Sequence, residues 1–105
     1  MYDTLHRLEA TVAARRNGDP ETSYVAKLNA GGLGKIAQKL GEEATETIIA
    51  ALSEDAKALT GEAADLLFHL VVLLNAKGVA LDDVLAELDR REGTSGVAEK
   101  ASRAS

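Results

Sequence analysis

The stretch LGEEATETIIAALSEDAKALTGEAADLLFHLVVLL, Leu40 to Leu74, decides the fold, because it sets carboxylates at fixed intervals inside the most apolar half of the chain. Glu42, Glu43 and Glu46 come first, and Glu62 and Asp65 follow just ahead of a nearly unbroken leucine and valine run. Ser53-Glu54-Asp55 between them is a break rich in helix-capping residues. Two long helices joined there by a short connection must pack antiparallel. Seven residues back from Ser53 is Glu46 and nine forward is Glu62, so both acidic groups stand at about the same height on neighbouring helices.

On a wheel with Glu42 at zero, Lys35, Glu46, Lys39 and Glu43 fall at about 20°, 40°, 60° and 100°. One face of the third helix therefore carries two lysines and then three carboxylates. The apolar positions Ile36, Leu40, Ala44, Ile48 and Leu52 step by four and are expected to form the inward stripe, with Glu43 at its border. A solvated face with a Lys39–Glu43 ion pair is the bland account of these charges. It explains the second group less well: Glu62 shares its side with Leu66 and Leu73, and Asp65 with Phe68 and Val72, so both lie in line with core positions. Carboxylates in the first turns of a helix also suit its dipole, but that does not account for two matched sets.

Outward from this pair, Leu5, Leu8 and Val12 recur at helical spacing, and Asn17-Gly18-Asp19 ends that segment. Asp19-Pro20-Glu21 predicts a second helix with Asp19 as N-cap, with Tyr24, Val25 and Leu28 on its apolar side and Gly31-Gly32 closing it. The third helix is expected over Lys35–Leu52, the fourth over Ala56–Lys77 with a stop at Gly78, and a shorter fifth from Leu81 carrying Val84, Leu85 and Leu88. The last residues, GTSGVAEKASRAS from Gly93, read as a tail of low intrinsic order. The class is all-α, one domain over 1–105 built as an antiparallel bundle of about five helices. The fourth is apolar nearly all round, so a second copy is expected to complete its cover as a homodimer.

Composition narrows the chemistry. Twelve Lys and Arg against 17 Asp and Glu give a net charge of −5, which argues against a nucleic-acid partner. With no cysteine there is no disulfide, thiolate metal site or thiol nucleophile. The N-terminal residues lack a signal-peptide pattern and the apolar runs are shorter than a bilayer span, so a soluble, cytoplasmic protein with no membrane partner is expected. The aromatic residues are Tyr2, Tyr24 and Phe68. Four or five carboxylates converging on one level need cations, and an oxygen-only donor set suits Mg²⁺, with Mn²⁺ as substitute. Such a centre, once loaded, attracts polyphosphate. His69, four residues after Asp65, fits a hydrogen-bonded core histidine or a partner of Asp65. Asn75 is given no role, and Lys100 and Arg103 belong to a solvated tail or reach a phosphate on a partner.

Glu42-Glu43-x-x-Glu46, a spacer of 15 residues, and Glu62-x-x-Asp65 are similar to the mark of the all-α nucleoside triphosphate pyrophosphatases. The segment from Ser23-Tyr24 to Lys35 and the tail SGVAEKASR narrow the resemblance, over most of the chain, to the phosphoribosyl-ATP pyrophosphatase family. Gly31-Gly32-Leu33-Gly34 is more glycine-rich than that family's linker. The resemblance implies hydrolysis of phosphoribosyl-ATP to phosphoribosyl-AMP and pyrophosphate in histidine biosynthesis. It further implies Mg²⁺ held by Glu43, Glu46, Glu62 and Asp65, with Glu42 a further ligand or holding the attacking water, and Lys35 and Lys39 on phosphate oxygens. Two rival readings are a housekeeping pyrophosphatase acting on dUTP or non-standard nucleotides, and a non-catalytic helical dimerisation module.

Overall fold

Two of the helix starts are fixed by a side-chain cap, at Ser23 and Asp55. In the computed structural model, which describes residues 3–93 and 96–104, the helices are α1 (Thr4–Arg15), α2 (Tyr24–Gly31), α3 (Leu33–Ser53), α4 (Ala56–Ala76), α5 (Leu81–Arg91) and α6 (Gly96–Ala104). Tyr2, and Thr94 and Ser95 of the expected tail, lie outside the described residues. The class is all-α, with no strand among the described residues.

α2 starts later than expected. Asp19 caps a turn instead, accepting from the Glu21 N–H at 2.9 Å, and Ser23 is the helix N-cap, its hydroxyl accepting from Ala26 N–H at 3.2 Å. Asp19-Pro20 and Ser23-Tyr24 are both competent starts, and the second leaves Val25, Ala26 and Leu28 all facing the core. Asp55 caps α4 through Ala58 N–H at 2.9 Å. α4 ends in a Schellman turn: Val79 N–H reaches Leu74 O at 2.9 Å, Gly78 N–H reaches Asn75 O at 3.1 Å, and Gly78 takes φ +71°, a conformation open to glycine. The segment from Gly93, expected to be of low order, carries the helix α6; Gly96 to Ala104 includes three alanines, the strongest helix former.

α3 and α4 form a long antiparallel hairpin. α1 lies against α4, α2 against α3, and Val12, Val25, Leu28, Ile36, Val71 and Val72 close the core between them. Arg16 fastens the end of α1 to the end of α4 through the carbonyl and side-chain oxygens of Asn75, at 3.2 and 3.3 Å, a role the sequence did not suggest for Asn75.

The inward face of α3 differs from the expected stripe. Ile36 is buried, but Leu40 and Ala44 are half-buried, Ile48 is 60% exposed and Leu52 83% exposed. A step of four advances about 40° beyond a full turn, so four such steps carry Leu52 about 160° away from Ile36. Steps of seven slip back only about 20°, and Ile36, Glu43 and Ala50 are the residues buried on α3. A glutamate thus occupies a core position.

Apolar side chains on both helices of the hairpin are nevertheless exposed: Ile48, Ile49 and Leu52 towards the turn end of α3, and Leu67 on α4. The radius of gyration is 15.7 Å, against about 13 Å for a closed globule of this length, and the longest extent is 46 Å. α4 is long and apolar enough to cross a membrane by length and mean composition, although its unbroken apolar run is far shorter, as expected. It carries Glu62, Asp65 and His69 and packs against α1 and α3.

Candidate metal centre

Glu43 sits in the α3–α4 seam at 8% exposure, level with Glu62 and Asp65 of α4. One carboxylate oxygen from each of these three residues lies within 4.8 Å of the other two. Thr47 locks this level: its hydroxyl, 2.8 Å from Glu43 O on its own helix and 3.1 Å from Glu62 O on the other, ties the two backbones at the height of the acids. The antiparallel register expected from Ser53 is therefore the one observed.

The electrostatics show what such crowding does. Burial pushes the Glu43 carboxyl above its ordinary range, and the charge of Glu46 adds to it. A hydrogen bond with Glu46 raises Glu62, with burial next and the charges of Glu46, Asp65 and Glu43 after it. Glu46 is exposed and stands beside the cluster as a proton-sharing partner of Glu62. Glu43 Oε2 and Glu62 Oε2 are buried with no hydrogen-bond partner among the described residues. Buried acceptors without partners are costly, and a cation is the group that satisfies several at once. Hard carboxylate oxygens in this number fit Mg²⁺ or Mn²⁺.

Glu42 is set apart from the cluster. Its carboxylate pairs with Lys39 at 3.7 Å, so the ion pair on this face is i,i+3 and not the expected Lys39–Glu43. Lys35 and Lys39 line a cavity of about 410 Å³ beside the acids, together with Tyr24, Lys27, Leu28 and Gly31.

Behind the acids, His69 is buried, and its Nδ1 lies 2.7 Å from the Asp65 backbone carbonyl. The bond expected between these residues is thus made to the main chain, which leaves the Asp65 carboxylate to the cluster. A carbonyl only accepts, so Nδ1 carries the hydrogen and Nε2 of the neutral ring accepts from the Tyr24 hydroxyl at 2.9 Å. Tyr24, for which the sequence allowed core packing or a hold on substrate, stacks on Phe68 with 5.9 Å between ring centroids yet stays 47% exposed toward the cavity. Thr47 carries no motif, and only its wheel position beside Glu43 on the inward face hinted at its part; Lys27 lies within the Ser23–Lys35 segment, but nothing in the sequence assigns it a role of its own.

Fold and site together define an all-α protein whose candidate centre is made of carboxylates alone, presented by two antiparallel helices. The family model described as phosphoribosyl-ATP pyrophosphohydrolase matches residues 5–92. A phosphoribosyl-ATP pyrophosphatase of Novosphingobium aromaticivorans is 72% identical over 101 residues, covering 96% of this chain and 94% of the relative. Those of Erythrobacter litoralis and Rhizorhabdus wittichii are each 69% identical, covering 96% and 98% of this chain and 97% of either relative. The chain belongs to the phosphoribosyl-ATP pyrophosphohydrolase family.

Proposed function

We propose that this chain hydrolyses phosphoribosyl-ATP, the substrate for which its relatives are named, to phosphoribosyl-AMP and pyrophosphate as a step of histidine biosynthesis, in a Mg²⁺-dependent reaction in the cytoplasm. The observation that carries the metal-dependent reading is the meeting of Glu43, Glu62 and Asp65 oxygens within 4.8 Å, two of these residues having a buried, partnerless oxygen. Glu43, Glu62 and Asp65 hold the ion, with Glu46 as the fourth ligand. When bound, a divalent ion neutralises triphosphate oxygens and stabilises the charge that grows on the leaving pyrophosphate.

The chain's own groups do the rest. Thr47 fixes the height at which the two helices present their acids. Glu42, outside the cluster and paired with Lys39 at 3.7 Å, is read as a further ligand or as the group that holds the attacking water. A carboxylate of the site takes the water's proton, and no covalent nucleophile is needed. Lys35 and Lys39 supply cations that a chain of net charge −5 otherwise lacks around a polyanion.

A homodimer is supported by the exposed apolar side chains Ile48, Ile49 and Leu52 of α3 and Leu67 of α4. The reading is tested by pyrophosphate release from phosphoribosyl-ATP with and without Mg²⁺, against dUTP and ATP as competing substrates. Mg²⁺-dependent turnover with preference for phosphoribosyl-ATP is expected. Preference for the ordinary triphosphates contradicts it.

A further inference from the structure

The cavity between α2 and α3 has a composition that the triphosphate chemistry does not use up. Three lysines, Lys27, Lys35 and Lys39, stand on one concave surface whose other walls are the Tyr24 ring, Leu28 and Gly31, with no acid among them. Lys39 is shared with Glu42, whereas Lys27 and Lys35 have no carboxylate partner among the described residues. Like charges gathered without counter-charge repel, so the arrangement favours an anion. A volume of about 410 Å³ is that of a small-molecule site, and a ring and a leucine beside cations suit a sugar phosphate better than bare pyrophosphate.

Its position fits that ligand. Counted along α3, Lys39 and Lys35 lie about 6 and 12 Å from Glu43, one to two turns from the acids. The Tyr24 hydroxyl donates to His69, which in turn is held by the Asp65 carbonyl, so the phenol oxygen keeps its acceptor side for the cavity and the ring is locked in register with the acids. The reacting triphosphate has the carboxylate-held cation to balance its charge. A phosphate at the other end of the same substrate has none and needs side-chain cations.

We propose that the cavity formed by Tyr24, Lys27, Leu28, Lys35 and Lys39 binds the phosphate monoester and sugar of the substrate's phosphoribosyl arm, and so separates phosphoribosyl-ATP from ordinary triphosphates. This rests on the hydrolytic reading above. Lys27 is exposed on α2 and makes no contact needed by the core, so Lys27→Ala and Lys27→Glu are expected to fold as the parent does.

The test is product inhibition of the Mg²⁺-loaded enzyme by phosphoribosyl-AMP, AMP and pyrophosphate. Lys27→Ala is expected to raise the inhibition constant of phosphoribosyl-AMP about tenfold, and Lys27→Glu further, with those of AMP and pyrophosphate unchanged. Tyr24→Phe is expected to raise KM for phosphoribosyl-ATP more than it lowers kcat. Weakening of pyrophosphate inhibition instead assigns the cavity to the leaving group and overturns the proposal, as does no change in any constant. Failure of the unsubstituted enzyme to turn over phosphoribosyl-ATP is a separate result and removes the reading on which the proposal rests.

Discussion

At position 43 a glutamate stands where the seven-residue spacing of Ile36 and Ala50 would take an aliphatic side chain. Its folded-state pKa is raised, so the charged form is disfavoured by folding, and at neutral pH Glu43 destabilises the metal-free protein. Glu43→Gln is therefore expected to raise the melting temperature in chelator and to lose the further rise that Mg²⁺ gives the parent, a rise following RT ln(1 + [L]/Kd). Thermal melts with and without Mg²⁺ check both. Thr47→Val keeps the shape but removes the bond between helices, at a cost of about 1 kcal/mol, or a fall of about 4–8 °C in melting temperature. At this scale the acids were legible, because a one-dimensional count through Ser53 sets two antiparallel helices in register. The Tyr24–His69–Asp65 chain was not, since it joins residues 45 apart whose meeting depends on how α2 lies on the hairpin.

Among the elements, α5 is held at its N-terminus by α1. Ala80 offers no side-chain cap, and Glu9 Oε2 accepts from the Leu81 N–H at 2.8 Å in its place. Glu9→Ala is expected to cost about 1 kcal/mol, as loss of an N-cap does, with faster amide exchange in the first turn of α5. His6 Nε2 meets Asp82 Oδ1 at 2.6 Å beside it, and this hydrogen bond raises the His6 pKa above 6.5. Its contribution is therefore complete below pH 6.5 and is lost as pH rises through the raised value. Asp82→Asn should bring the His6 ring titration, followed by NMR, back toward 6.5; a midpoint the same in both proteins contradicts the pairing. The start of α4 at Ala56 and its end before Gly78 followed from capping and glycine signals, whereas α3 begins at Leu33, two residues ahead of the expected Lys35. The inward face of α3 was not legible, because a four-residue apolar step spirals round the helix and ends on the opposite side, where Ile48 and Leu52 are exposed.

For the whole molecule, the same drift leaves two apolar surfaces on one hairpin, one closed by α1 and α2 and one open. Leu52→Asp and Ile48→Asp, on residues 83% and 60% exposed, should leave the single-chain core intact and shift a dimer to monomer in sedimentation equilibrium. A parent that sediments as a monomer at all concentrations contradicts the dimer. What the architecture serves is the meeting of carboxylates from two helices, and Mn²⁺ binding followed by electron paramagnetic resonance reads that meeting without substrate. The parent protein is expected to bind Mn²⁺ with displacement by Mg²⁺, and Glu62→Gln and Asp65→Asn, on one helix, to weaken it as strongly as Glu43→Gln on the other. Undiminished Mn²⁺ binding in all three would contradict a centre shared between α3 and α4.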